Sequence, residues 1–241
     1  MEKDFFVDVS HAKKRSFVFE SAFRILKREG LLSLSKKIKK QIFYRYKGVD
    51  FSPENLYDLE VKGDKKNAST CNHILEKSFD EILKKLKEYD PLILNGAFTD
   101  YGSGKGFTLL KASQFGFKEV TGIEFAEKLS HISKNNLKKL SIKNAKTIHL
   151  DASLFIPPKN TRVIFFHNPF NETVFNKVLE NIISVKNDFE NELYLVYHYP
   201  LCEEVFRQRE SDFEFLERFV SPTSKEITNF YKLIRYDSSN I

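Results

Sequence analysis

The stretch Phe98-Thr99-Asp100-Tyr101-Gly102-Ser103-Gly104-Lys105-Gly106 constrains the fold more than any other part of this chain. It reads as the end of a buried strand, then a glycine-rich turn, then the first turn of a helix. Glycines at alternate positions leave a wall of bare backbone, needed where φ is positive or where a ligand comes closer than a Cβ permits. A helix beginning near Gly106 presents amide groups and a partial positive charge at its N-terminus. An acid, Glu124, closes the next strand-like run, Val120-Thr121-Gly122-Ile123-Glu124. This combination suits a nucleoside-bearing cofactor. The spacing Asp-x-Gly-x-Gly-x-Gly is tighter than the G-x-G-x-x-G of dinucleotide sites, where a pyrophosphate rests on the helix end. A carboxylate ahead of the turn, Asp100, repels pyrophosphate and suits a ligand that carries a cation there.

Strand-like and helix-like segments alternate around this turn. The pattern predicts a helix over 69–88, capped by Ser69 or Thr70, with Ile74, Phe79, Ile82 and Leu86 facing inward. A strand over 97–101 and a helix over 107–115, stopped by Gly116, follow. Next come a strand ending at Glu124, a helix over 126–140, and strands ending at Leu150 and His167. Asn171 caps a further helix, and Pro200 stops a strand over 193–199. Two late runs, 213–220 and 227–236, read as a hairpin-like pair. Such alternation gives an α/β fold, a parallel sheet with helices on both faces. In open α/β sheets ligands bind at the carboxyl ends of the strands. The glycine turn, Glu124, Asp151-Ala152 and Asn168-Pro169-Phe170 all fall at such ends.

Asp100 to Gly106 resembles the first motif of class I S-adenosylmethionine (SAM)-dependent methyltransferases. The resemblance spans about residues 70 to 237 and implies a Rossmann-like, mostly parallel sheet of seven strands with the last antiparallel. It implies cofactor-binding roles for Asp100, Tyr101, Gly102, Ser103, Gly104 and Gly106, and a ribose-binding role for Glu124. Asp151 and the Ala152 amide match the adenine-edge position, and Phe125 or Leu154 would pack against the ring. Asn168, Pro169 and Phe170 match the substrate side, where amino-group methyltransferases often carry Asn or Asp, two prolines and an aromatic residue. The missing second proline departs from the nucleic-acid adenine pattern. The Asn-x-Phe form resembles lysine-directed enzymes of the Dot1-like kind. The expected reaction is therefore in-line transfer of a methyl group from SAM to a nitrogen nucleophile, a protein lysine or a small amine, without metal. The alternatives are a small-molecule or glycan O-methyltransferase, and a nucleic-acid-binding module. Read without the resemblance, Glu124 is a strand-end acid, Asp151 a helix cap, and His167 and His198 packed histidines or general bases.

Charge divides the chain. The net +6 is concentrated in Lys13 to Lys47, where twelve Lys or Arg face only Glu20 and Glu29. This arm reads as two helices split at Gly30, followed by a polar linker, so residues 1–67 form a basic helical N-terminal extension and 68–241 the methyltransferase-like domain. A solvated charged face, nucleic acid, and an anionic membrane surface are the three readings of the arm. Cys71 and Cys202 offer neither metal spacing nor a disulfide framework. Met1-Glu2-Lys3-Asp4 is too acidic for a signal peptide, and no run reaches the ~20 apolar residues of a membrane helix. These features lead to the expectation of a cytoplasmic protein.

Overall fold

The computed structural model describes residues 31–53, save 33 and 37, and 73–235. The expected helix around Phe17 to Leu26, the caps Ser69 and Thr70, Cys71 and most of the linker lie outside the described residues. The chain divides into two compact units, Met1–Val49 and Asp50–Ile241.

In the first unit a helix, α1, runs through residues 31–47. Gly48 stops it at φ 65°, with its N–H on the Arg45 carbonyl (3.1 Å) and that of Val49 on the Tyr44 carbonyl (2.8 Å). Leu31, Leu32, Ile38, Ile42 and Tyr46 are all exposed on it.

The second unit alternates as the pattern predicts. Its elements are α2 (Glu76–Tyr89), β1 (Ala97–Tyr101), α3 (Phe107–Phe115), β2 (Glu119–Glu124), α4 (Glu127–Lys139), β3 (Ala145–His149), β4 (Thr161–His167), α5 (Glu172–Ser184), β5 (Tyr194–His198), α6 (Glu204–Arg207), β6 (Phe213–Val220) and β7 (Ile227–Leu233). The sheet order is β3-β2-β1-β4-β5-β7-β6. β1 to β5 pair in parallel, whereas β7 runs antiparallel to both β5 and β6. Seven strands with β7 reversed is the expected architecture.

Several boundaries differ from the pattern: β3 ends at His149 rather than Leu150, and β7 at Leu233 rather than 236. Three further differences have a local reason. α2 begins at Glu76 because Leu75 is extended, so Ile74 is buried as expected but lies ahead of the helix. α4 begins at Glu127 because Ala126 is extended, its N–H held by a Glu124 carboxylate oxygen at 2.8 Å. β5 ends at His198 because Tyr199 takes a left-handed φ of 52°.

The core has two layers, one on each face of the sheet. On one face Phe79, Ile82, Leu83 and Leu86 of α2, spaced three and four apart, pack with Leu109 and Ala112 of α3 onto Phe98, Val120, Phe165, Val196 and Phe230. On the other, Phe175, Val178, Leu179 and Ile182 of α5 meet Tyr101, Ile164, Phe166, Tyr197 and Tyr231. Aromatic rings bridge each layer. Phe79 meets Phe165 edge-on at 5.1 Å, and Phe206 stacks on Tyr231 at 4.0 Å. These layers fix the sheet, and with it the row of loops at its carboxyl edge.

Candidate functional site

β1 is wholly buried and its alternation decides which side chains the site can use. Asp100 points to the face of α3, and Tyr101 to the opposite face. The Tyr101 ring therefore lies in the α5-side core, beside Phe155 and Phe166, which leaves only its backbone at the turn. Beyond it the chain turns through Gly102, Gly104 and Gly106, with φ of 82°, 53° and 82°. The turn lies tight against its surroundings. A Cβ on Gly102 would stand 2.6 Å from the Pro169 Cβ, and one on Gly122 in β2 would stand 2.5 Å from the Ser103 Oγ. The loops after β1 and β4 thus meet at Gly102 and Pro169, at the point where strand order reverses.

Asp100 is 1% exposed. It accepts a hydrogen bond from the Thr108 hydroxyl in the first turn of α3. Burial, reinforced by the neighbouring Glu124 charge, pushes its carboxyl up from 3.8 to about 7, against the lowering effect of Thr108. Glu124 is also buried, and burial raises its carboxyl too. Its Oε2 accepts from the Gly104 amide and its Oε1 from the Ala126 amide, each at 2.8 Å. The acid at the end of β2 therefore ties the glycine turn to its own strand. Each carboxylate oxygen keeps a second lone pair with which to accept a ligand hydroxyl.

Asp151 caps the short 3-10 turn Ala152–Leu154, its Oδ1 accepting from the Ser153 amide and hydroxyl at 2.8 Å each. Asp151 is exposed, as is Leu154 at 70%. Phe125 is half-buried, its carbonyl bonded to the His149 ring.

At the end of β4, Asn168 holds a left-handed φ of 42°. The Tyr197 hydroxyl donates to its Oδ1 at 3.3 Å and accepts from the Cys202 amide at 3.0 Å. The Phe170 ring leans on Phe166 and Phe175, so it is anchored in the α5-side core and half-buried.

Two groups that the pattern left ambiguous come together here. Register pairs His167 with His198 across β4 and β5, ring centroids 4.9 Å apart. His198 is fully buried, Nδ1 on the Thr228 hydroxyl (2.8 Å) and Nε2 3.7 Å from Glu226. Tyr199 stacks on His167 (5.9 Å, 24°). Burial lowers His167 to about 4 and His198 to about 3, so both rings are neutral near pH 7. Glu226, at the foot of β7, had no signal in the sequence. Among the described residues no group of three His, Cys, Asp or Glu is placed to hold a metal ion.

No family of known proteins matches this sequence, and no curated protein does. Solved structures do. A candidate methyltransferase of Escherichia coli superposes with a TM-score of 0.51 over 66% of this chain and 88% of its own, at 17% identity. The chain has the class I methyltransferase fold. A SAM-dependent methyltransferase of Aquifex aeolicus is similar over 67% of this chain and all of its own (15% identity, TM-score 0.49). A candidate RNA methyltransferase of Pyrococcus horikoshii is similar over 77% and 94% (19%, 0.49).

Proposed function

We propose that the chain is a SAM-dependent methyltransferase that alkylates a nitrogen nucleophile. The observation that carries this reading is the pair of buried carboxylates, Asp100 and Glu124, set around a turn of bare backbone. Two acids raised by burial, Asp100 also by the neighbouring Glu124 charge, favour a cationic ligand, which would lower both again. SAM, when bound, supplies a methyl group on a cationic sulfur, together with an α-ammonium group. The residues fit it. Gly102 to Gly106 give backbone for the amino-acid part to lie against. Asp100 would offset the positive charge of that part, and Glu124 would offer lone pairs to two ribose hydroxyls. Asp151, the Ala152 amide and exposed Leu154 suit the adenine edge and ring.

On the acceptor side, the Asn168 Oδ1 is held by Tyr197 in a strained backbone, ready to accept from an amine. Pro169 fixes that loop against Gly102, and Phe170 supplies an aromatic wall. The chain's task is alignment, which can contribute about 7–11 kcal/mol to such a displacement. Asn168-Pro169-Phe170 and the glycine turn are also all that supports the Dot1-like comparison, a protein lysine as acceptor. A second reading, O-methylation of a small molecule or glycan, is favoured by the neutral His167 beside Asn168, since a hydroxyl acceptor needs a base.

The reading predicts that SAM and S-adenosylhomocysteine, but not NAD, raise the thermal midpoint of the full chain. A shift with NAD alone would overturn it. Transfer of tritiated methyl from SAM into lysate, fractionated into protein, RNA, lipid and small molecules, identifies the acceptor. Label on an oxygen would favour the second reading.

A further inference from the structure

The glycines of the turn have no side chains with which to hold its shape. Gly104 and Gly106 flank Lys105, both at positive φ, and such backbone has more freedom to lose than any other. Glu124 holds the turn from inside at the Gly104 amide. The Gly102 and Ser103 amides also bond the Ile123 carbonyl, at 2.8 and 3.0 Å. Further holds, on the Lys105 side of the turn, come from Asp50 to Ser52, far upstream in sequence.

Asn136 on α4, 1% exposed, grips Asp50 by both main-chain groups: its Oδ1 accepts from the Asp50 amide (2.9 Å) and its Nδ2 donates to the Asp50 carbonyl (2.7 Å). The same Nδ2 donates to the Lys105 carbonyl at 3.0 Å. One buried amide thus joins the upstream segment to the turn. The Lys105 side chain makes the reverse connection. That side chain is 4% exposed, and its ammonium lies 2.7 Å from the Asp50 Oδ2 and donates to the Ser52 hydroxyl at 3.2 Å. The Ser52 amide and hydroxyl bond the other Asp50 oxygen at 2.8 and 2.6 Å, which aims Oδ2 at Lys105. Phe51 meets Phe107, the first residue of α3, edge-on at 5.4 Å. Burial works against the Asp50 charge, yet Lys105 and Ser52 hold its carboxyl below the ordinary range.

Resting on the methyltransferase reading, we infer that residues 50–52 are a latch on the cofactor site, with Asp50 and Asn136 acting as positioning residues that fix the glycine turn before SAM arrives. A turn already fixed has less freedom to lose on binding, and this is how pre-organisation raises affinity. The bonds of Asp50 go to Ser52, Lys105 and Asn136. Its effect passes through Lys105 and the backbone of the turn. Functionally, the domain then begins at Asp50 rather than near residue 68.

The test uses the full chain and S-adenosylhomocysteine in calorimetry, with amide hydrogen exchange on the ligand-free protein. Asp50→Asn keeps the main-chain grip of Asn136 and the Ser52 bonds, and removes only the ion pair. It should weaken binding roughly fivefold, the size of a half-exposed pair. Exchange should quicken at 50–52 and 104–107 and stay unchanged in the core strands. Lys105→Met should weaken binding similarly, Lys105→Arg should restore it, and the Asp50→Asn/Lys105→Met double variant should be no weaker than either single. Unaltered affinity in Asp50→Asn, or exchange quickened throughout the domain, overturns the latch. If the parent chain takes up no S-adenosylhomocysteine, the methyltransferase reading fails first and the latch's cofactor role fails with it.

Discussion

Replacing Asp100 by Asn should stabilise the ligand-free protein at neutral pH, the reverse of what substitution at a buried polar position usually does. In the fold the carboxyl is pushed from 3.8 to about 7 by burial and by Glu124. A raised acid contributes stability that is present below its unfolded pKa and lost as pH rises through the folded one. Above pH 7 the lost stability is about 4 kcal/mol, and near pH 4.5 only about 1 kcal/mol. Asn carries no charge, so the variant avoids this cost. Its Oδ1 can keep the Thr108 bond, while its buried amide group costs about 1–3 kcal/mol if it finds no acceptor. The net gain near pH 8 is then about 1–3 kcal/mol, or roughly 3–9 °C in thermal midpoint for a domain of this size. Near pH 4.5 the gain should vanish or reverse. The assay is thermal unfolding of both proteins across that range, read as the difference between them, which cancels the titration of His167 and His198. The variant should also lose affinity for SAM, since it lacks the charge that meets the cation. A pH-independent difference between the two proteins would refute the electrostatic account of Asp100, and unchanged SAM affinity would refute its role opposite the cation.

Glu124→Gln should weaken S-adenosylhomocysteine by at least about tenfold, because a charge-assisted bond contributes roughly 1.5–3 kcal/mol, with calorimetry as the check. It should also lower the thermal midpoint, since one of the Gly104 and Ala126 amides then faces an NH2 group. His198→Gln should flatten the fall in stability on the acid side. The depressed His198 contributes stability present above pH 6.5 that is lost as pH falls toward about 3, and acid titration followed by circular dichroism would detect its removal. For the arm, α1 carries exposed Leu31, Ile38 and Ile42 beside Lys36, Lys39 and Arg45, a pattern suited to an anionic surface. Co-sedimentation with phosphatidylserine vesicles but not phosphatidylcholine vesicles is expected, and a salt-dependent RNA shift without vesicle binding would favour nucleic acid instead.

Much of this fold is legible in local sequence. The α3 bounds, Phe107 to Phe115, follow directly from Gly106 and Gly116, both left-handed in the structure. The strand-end positions of Asp100, Glu124, Asp151 and Asn168 follow from alternation alone. What was not legible depends on contacts between distant segments. Whether Tyr101 faces the site or the core is decided by which side of β1 Asp100 takes, and that is decided by α2 and α5 packing on opposite faces. Asn136 looks like one more polar residue on a lysine-rich helix, and nothing near it signals that it will reach Asp50, 86 residues away. His167 and His198 meet through a strand register that no single segment encodes. α2 starts at Glu76 rather than near 69, because Leu75 is extended without a marker as strong as a proline.

The distribution of strain argues for the same edge of the sheet. Among the described residues four that are not glycine hold positive φ, and two of them, Asn168 and Tyr199, directly follow the paired histidines at the ends of β4 and β5. The buried side-chain atoms lacking a hydrogen-bond partner include the Ser103 hydroxyl in the turn and the His198 Nε2, each costing about 1–3 kcal/mol. Asp100 adds its own cost above pH 4. A fold under selection for stability alone would lose these features readily, because each has a simple apolar or glycine replacement. The aromatic layers on both faces offset them: Phe79, Phe98, Phe165, Phe175 and Phe230 are each fully buried, at about 1.5–3 kcal/mol apiece. The left-handed Asn168 and Tyr199 put backbone strain at the carboxyl ends of β4 and β5, as expected where the backbone is held ready for a ligand.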